Sequence, residues 1–188
     1  MRIVALLITE LLLICSLAPA QTSATGQSKD TRSDFPRTGI SSAGLEQAFE
    51  AVKQVLPTNG ITIIAMWFND SDNALICVRK DGATVGGIRD VTFQRLDGKW
   101  NPTGDTEARP ADYPKRGITP AELDEALKQI KEFLPASGIL EMSFDSGIGI
   151  GVRTGVQWGP RAGRGVGLSF RKKDGKWHKT TYESGWVS

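Results

Sequence analysis

The chain has 188 residues, 23 Lys and Arg against 21 Asp and Glu, and 39% hydrophobic residues. That length fits one medium domain or two small ones, and the apolar share suffices for a packed core, which excludes wholesale disorder and collagen-like repetition. With one His and two Cys, a metal site of several His and Cys ligands is excluded as well.

Met1-Arg2 precedes an apolar run from Ile3 to Leu17 and then Ala18-Pro19-Ala20. A positive start, a short apolar stretch and small residues at −3 and −1 describe a secretory signal peptide over 1–20, with cleavage after Ala20. The run is short for a membrane span and carries Glu10 in its middle. Lipid anchoring at Cys15 is disfavoured by the bulky Ile14 before it. The expected location is therefore exported, periplasmic or extracellular. Gln21 to Asp34 is polar and aperiodic and reads as a disordered leader, 21–34.

From Phe35 the chain contains itself twice. Phe35-Pro36-Arg37-Thr38-Gly39-Ile40 returns as Tyr113-Pro114-Lys115-Arg116-Gly117-Ile118, and Asp97-Gly98-Lys99-Trp100 returns unchanged as Asp174-Gly175-Lys176-Trp177. Self-similarity at a fixed period marks one supersecondary unit used twice. The units are placed at 35–104 and 113–188. Asn101 to Asp112 is rich in Pro, Gly and acidic residues and reads as the link, with the connector proper at 105–112.

Each unit opens with a helix. In the first, Ser42 is the expected cap and Leu45, Ala48, Phe49, Val52, Val55 and Leu56 form the apolar stripe, with Pro57 as the stop. The second has Thr119 as cap, Pro120 at the first helical position and Glu122 to complete a capping box. Its stripe is Leu123, Ala126, Leu127, Ile130, Phe133 and Leu134, stopped by Pro135.

The period then changes to two. Ile61 to Phe68, Ala74 to Val78 and Ile88 to Leu96 read as strands, as do Ile139 to Phe144, Ile148 to Val152 and Val166 to Phe170. The Asp-Gly dipeptides turn each chain into a fourth strand at Trp100 or Trp177. The expected class is α+β: two tandem repeats, each one amphipathic helix followed by about four antiparallel strands, packed pseudo-symmetrically. Ile61 to Phe68 is apolar at odd and even positions, so its second face is expected to be covered by the other half, the two halves sharing an interface either as one continuous sheet or with sheets or helices packed together. Cys77, inside an apolar run, reads as an inert core residue.

Candidate sites lie in the second unit. Gly149 and Gly151 alternate with apolar residues and strip one strand face of side chains, where the first unit is read as having Leu75 and Cys77. A bare face admits a ligand close to the backbone, or a Trp of the same protein. Gly159 to Gly165 is a glycine-rich turn with Arg161 and Arg164. It lacks the following helix that a phosphate loop needs, and turn chemistry accounts for its glycines. From Gly147 to Ser188 eight basic residues stand against Asp174 and Glu183, a net of +6, whereas residues 21–146 carry a net of −4. This polarity permits binding of an acidic partner, an anionic cell-wall polymer or a membrane surface, and equally suits a solvated sheet edge. The proposed binding set is Arg153, Trp158, Arg161, Arg164, Gly149 and Gly151.

Chemistry for an enzyme is thin. His178 stands alone and no Gly-x-Ser-x-Gly elbow is present. Asp70 and Asp72 resemble the start of a calcium loop but lack its glycine and glutamate, and read as a hairpin turn. Glu141 and Asp145 stay open as half of a carboxylate pair. No catalytic residue, metal or cofactor is assigned. Trp158, Trp177 and Trp186 interleave with basic residues, but export argues against nucleic acid. The expected function is a non-enzymatic exported binding module for a protein or an anionic envelope component, with no transmembrane span after signal removal. The alternative is a small hydrolase or small-molecule binder with a pocket between the repeats.

Overall fold

The structure, a computed structural model, describes residues 35–56, 60–80, 87–107, 117–180 and 184–187. The expected signal peptide and leader, Pro57, and residues 108–112 of the expected connector lie outside these.

Ser41 caps the first helix, α1 (Ser42–Val55): its Oγ accepts the Gly44 N–H at 3.0 Å. The cap falls one residue before Ser42 because the Ser41 carbonyl already accepts the Leu45 N–H, so Ser42 is inside the first turn. Leu45, Ala48, Phe49 and Val52 are buried, but Val55 is 43% exposed, at the end of the stripe where the helix leaves the sheet. The second helix, α2 (Pro120–Ile130), starts as its sequence dictates. Glu122 donates its N–H to Thr119 Oγ1, and the Thr119 N–H returns to the Glu122 carboxylate at 3.0 Å. After Ile130 the backbone tightens into one 3₁₀ turn, Lys131–Phe133, which rotates Phe133 out of the stripe to 41% exposure while Leu134 stays buried.

Four strands follow α1: β1 (Ile61–Phe68), β2 (Asn73–Lys80), β3 (Ile88–Leu96) and β4 (Lys99–Glu107). Five follow α2: β5 (Ile139–Asp145), β6 (Gly149–Gly159), β7 (Ala162–Lys173), β8 (Lys176–Lys179) and β9 (Ser184–Val187). Asp97-Gly98 and Asp174-Gly175 both take positive φ and form the two expected hairpin turns, and Ser146-Gly147 forms a third. The link residues Asn101 to Glu107 are strand and not connector. Pro102 is tolerated because β4 is the outermost strand, and a bulge opposite Thr92/Phe93 absorbs the irregularity.

All nine strands form one antiparallel sheet in the order β4-β3-β2-β1-β5-β6-β7-β8, with β9 pairing β7 beside β8. The class is α+β, with both helices sharing one core against a single sheet face. Phe49 and Val52 of α1 and Leu123 and Ile130 of α2 join Ile63, Met66, Ile76, Phe144, Val152 and Phe170. Trp100 on β4 and Trp177 on β8 are buried at the two flanks, packed by α1 and α2 respectively. On the opposite face a small cluster of Ile64 and Cys77, with Trp67 and Ile88 against it, closes over β1. Among the described residues that second cover comes from β1, β2 and β3 of the first half.

The centre of the sheet is a reciprocal seam. Met66 of β1 pairs with Met142 of β5, flanked by Ala65–Ser143 and Trp67–Glu141. Ile40, just before α1, bridges Ile139 of β5; Ile118, just before α2, bridges Ile63 of β1. Above the sheet Lys53 of α1 reaches Asp124 of α2 at 3.1 Å, and Lys131 reaches Glu46 of α1 at 3.9 Å. Gly39 and Gly117, at matching places in the repeated motif, each press against the carbonyl of the strand they bridge. A Cβ at either would come within 2.4 Å of the Ile139 or Ile63 oxygen.

Candidate functional site

The sheet face away from the helices differs between its two ends, and strand parity explains the difference. Beyond the seam, β5, β6 and β7 present three aligned rows: Glu141–Arg153–Gly167, Ser143–Gly151–Ser169 and Asp145–Gly149–Arg171. Successive residues of a strand alternate faces, so all nine positions look the same way, opposite the core residues Val152 and Leu168. The matching middle row of β1, β2 and β3 is Trp67–Leu75–Thr92. One end of the sheet is thus filled by side chains where the other has two serines and a glycine.

The register corrects the expected alignment of the two glycines. Ser143 faces Gly151 as Trp67 faces Leu75, so Gly151 takes the place of Leu75 and Gly149 that of Asn73, and Cys77 matches Arg153. Among the described residues nothing distant in sequence rests on these glycines. A Cβ at Gly151 would meet only Ser143 Oγ at 2.8 Å, and one at Gly149 would meet chiefly Asp145 Cβ at 3.3 Å.

The result is an open groove. One cavity of ≈ 620 Å³ is lined by Ser143, Asp145, Gly149, Gly151, Ser169, Arg171 and Thr180. A second, of ≈ 340 Å³, shares Ser143, Gly151 and Ser169 and runs on to Glu141, Arg153, Gly167 and Trp186. At that end the Arg153 guanidinium lies 3.9 Å from the Trp186 ring centroid. The indole Nε1 donates to the Thr154 carbonyl at 3.0 Å, and its ring covers Gly163 and Gly165, where a Cβ would come within 2.7 Å of it. The Trp that was a candidate to sit on bare glycine does so here, and leaves Gly149 and Gly151 open. Arg153 is in consequence a guanidinium braced on an aromatic plate beside the groove.

Arg37 stands behind the seam and is only 5% exposed. Its Nη1 donates to Gln157 Oε1 at 3.2 Å and its Nη2 to the Leu140 carbonyl at 3.0 Å, while Nε has no partner among the described residues. Burial pushes this guanidinium below its ordinary value, partly opposed by Glu141 and reinforced by Arg153.

The expected binding set is split by the structure. Gly149, Gly151 and Arg153 line the groove. Arg161 occupies the β6–β7 turn, and Arg164 stacks 5.9 Å from the Trp158 ring centroid on the other sheet face. Trp177 is buried under α2, with its backbone N–H on Gln129 Oε1 at 2.8 Å, so it is no stacking platform. Ser143, Ser169, Arg171 and Thr180 were not singled out from sequence. The parity of Gly151 with its two neighbouring strands is the signal that finds them, once both hairpin turns are placed.

For enzyme chemistry the site has little. In the β5–β6 register Glu141 lies opposite Arg153 and Asp145 opposite Gly149, so neither is placed across from a carboxylate there, and the two are about 13 Å apart along one strand. His178 is exposed on β8, paired in register with Arg171. Asp70 Oδ1 accepts the Asp72 N–H at 2.8 Å and bonds Asn73, which is turn chemistry. Among the described residues no three His, Cys, Asp or Glu side chains converge on a metal position, and no helix is long and apolar enough to cross a membrane. A further cavity of ≈ 580 Å³ lies at the seam, lined by Thr38, Ser41, Asp70, Ser137 and Gly138 among others. Comparisons with protein-family models, with curated proteins and with solved structures found no match to this chain.

Proposed function

We propose that the protein is an exported, non-enzymatic binding module made of two copies of one helix-plus-sheet unit, and that the groove of the second copy recognises a protein segment or an anionic envelope component. The export reading rests on the amino-terminal residues. The two-copy reading rests on the repeated motifs and on the reciprocal contacts about Met66 and Met142.

One observation carries the site: Gly149 and Gly151 form a floor that no distant part of the described chain covers, where Leu75 fills the equivalent place in the first half. Glycine in a strand interior weakens it, so an uncovered pair is explained by what approaches from outside. Arg153 and Arg171, in the two outer rows, supply charge-assisted donors for carboxylate or phosphate groups. Ser143 and Ser169 supply hydroxyls between them.

Two variants test this. Gly151→Leu fills the floor as Leu75 does and displaces only the Ser143 hydroxyl; Arg153→Glu with Arg171→Glu reverses the corner charges. In a pull-down from an envelope fraction, each is expected to lower capture of the partner at least about tenfold, on the scale of losing charge-assisted hydrogen bonds. Unchanged capture with folded variants would remove the groove from consideration. The seam cavity keeps the small-molecule alternative concrete. Turnover, or a large thermal shift with a sugar, peptide or phosphate that survives Gly151→Leu, would favour it.

A further inference from the structure

The two arginines and the tryptophan that the groove excludes form a surface of their own. β5 pairs with β6 only as far as Thr154, so the β6–β7 hairpin projects past it, flanked by Arg37 at Gln157 and by β9 at residues 164–167. Strand alternation puts Arg164, Val166 and Val187 on one side of this projection, the side of Leu168, and Trp158 lies with them under Arg164. Helix α2 does not reach them: Trp158 is 53% exposed, Val166 38% and Val187 88%. From Thr154 to Arg171 the sequence contains Arg161, Arg164 and Arg171 and no acidic residue.

We infer that this hairpin tip docks on the surface of an anionic lipid bilayer. Tryptophan partitions to the headgroup zone, where its ring is apolar and its N–H is wet. Arginines beside it meet lipid phosphates, and two bare valines on the same side enter the acyl boundary. A projecting, uniformly cationic hairpin with an apolar side suits a broad charged plane. An acidic protein would match the charge but leaves the exposed valines without a stated role. The groove on the opposite face is not needed for this contact.

The test uses the exported form of the chain, from Gln21, and vesicles of phosphatidylglycerol with brominated acyl chains, which quench tryptophan at close range. The apolar run Ile3 to Leu17, which would itself enter a bilayer, is absent from it, so the quenching reports the folded part. Quenching is expected on anionic vesicles, weakly on phosphatidylcholine vesicles, and Trp158→Phe should remove most of it. Arg161→Gln with Arg164→Gln should lower partitioning roughly 25-fold at low salt, and added salt should do the same to the parent chain. No quenching on anionic vesicles, or quenching that survives Trp158→Phe, overturns the inference. So does a soluble acidic polypeptide that shields Trp158 from iodide where vesicles do not, which would assign the surface to a protein partner.

Discussion

Arg37 is a charge that the fold has taken out of water. Three acceptors, the Gln157 side chain and the Phe68 and Leu140 carbonyls, meet its two terminal nitrogens, and two of them belong to different strands across the seam. Removing the guanidinium leaves buried carbonyls unpaired, so Arg37→Ala is expected to cost about 3 kcal/mol in urea unfolding. Arg37→Lys keeps the charge but cannot fork to acceptors on separate strands, and is expected to recover little. A lysine variant as stable as the parent would show that charge alone matters. Sequence revealed Arg37 only as one letter of a repeated motif, because a local polar stretch does not announce burial. The glycine two residues on was more legible: its repetition as Gly117 reflects the same close approach to a strand carbonyl.

Among the elements, those with local signals were readable and those without were not. The Thr119-Pro120-Ala121-Glu122 start of α2 is complete in four residues, and Thr119→Ala should lower stability by about 1 kcal/mol, read as a shift in the urea midpoint without a change in slope. An unchanged midpoint would mean that tertiary packing holds the first turn unaided. The two Asp-Gly hairpins were placed for the same reason of local chemistry. By contrast β6 and β7 run to 11 and 12 residues, well past the stretches the apolar alternation marked, because glycine, Arg and Thr fill the outer positions. The four residues of β9 include a glycine and too little alternation to register as a strand. Register was the decisive loss. The expected match of Gly149 and Gly151 with Leu75 and Cys77 lies two residues off the pairing register, in which Ser143–Gly151 answers Trp67–Leu75, and it hid the row Ser143–Gly151–Ser169.

At the scale of the whole molecule, the helices are tied across the seam by two crossed ion pairs, Lys53–Asp124 and Lys131–Glu46. Lys128, and then Lys53, hold the Asp124 carboxyl below its ordinary 3.8. A depressed folded value means the contribution is complete above pH 3.8 and is lost as pH falls through the folded value. Glu50, and then Asp124, raise the Lys53 ammonium above 10.5, so its contribution is complete below that pH and lost as pH rises through the folded value. These groups are partly solvated, and Asp124→Asn should therefore cost only about 0.5 kcal/mol at neutral pH and low salt. The difference from the parent should vanish in 1 M salt and in strong acid, measured by thermal unfolding. A penalty that persists in both would locate the effect in packing. The α+β class, the helices and their strands were legible from periodicity. One continuous sheet was among the arrangements open to two halves that share an interface, but pairing between distant segments leaves no local trace to select it.

The crossed bridges of the seam bear on how the chain is made. During synthesis β1 to β4 emerge first, and β1 is then an outer strand whose Ile63 lacks the backbone partner that Ile118 later supplies. Ile40, delivered early, has nothing to bond until Ile139 leaves the ribosome. A nascent chain halted between the halves therefore displays a long apolar strand with an open edge, the form most prone to pair with a stranger. Ile118 emerges before α2 and supplies the partner of Ile63 first; β5 then brings Ile139 to Ile40 and covers the remaining edge of β1, so the open edge is exposed until β5 has been translated.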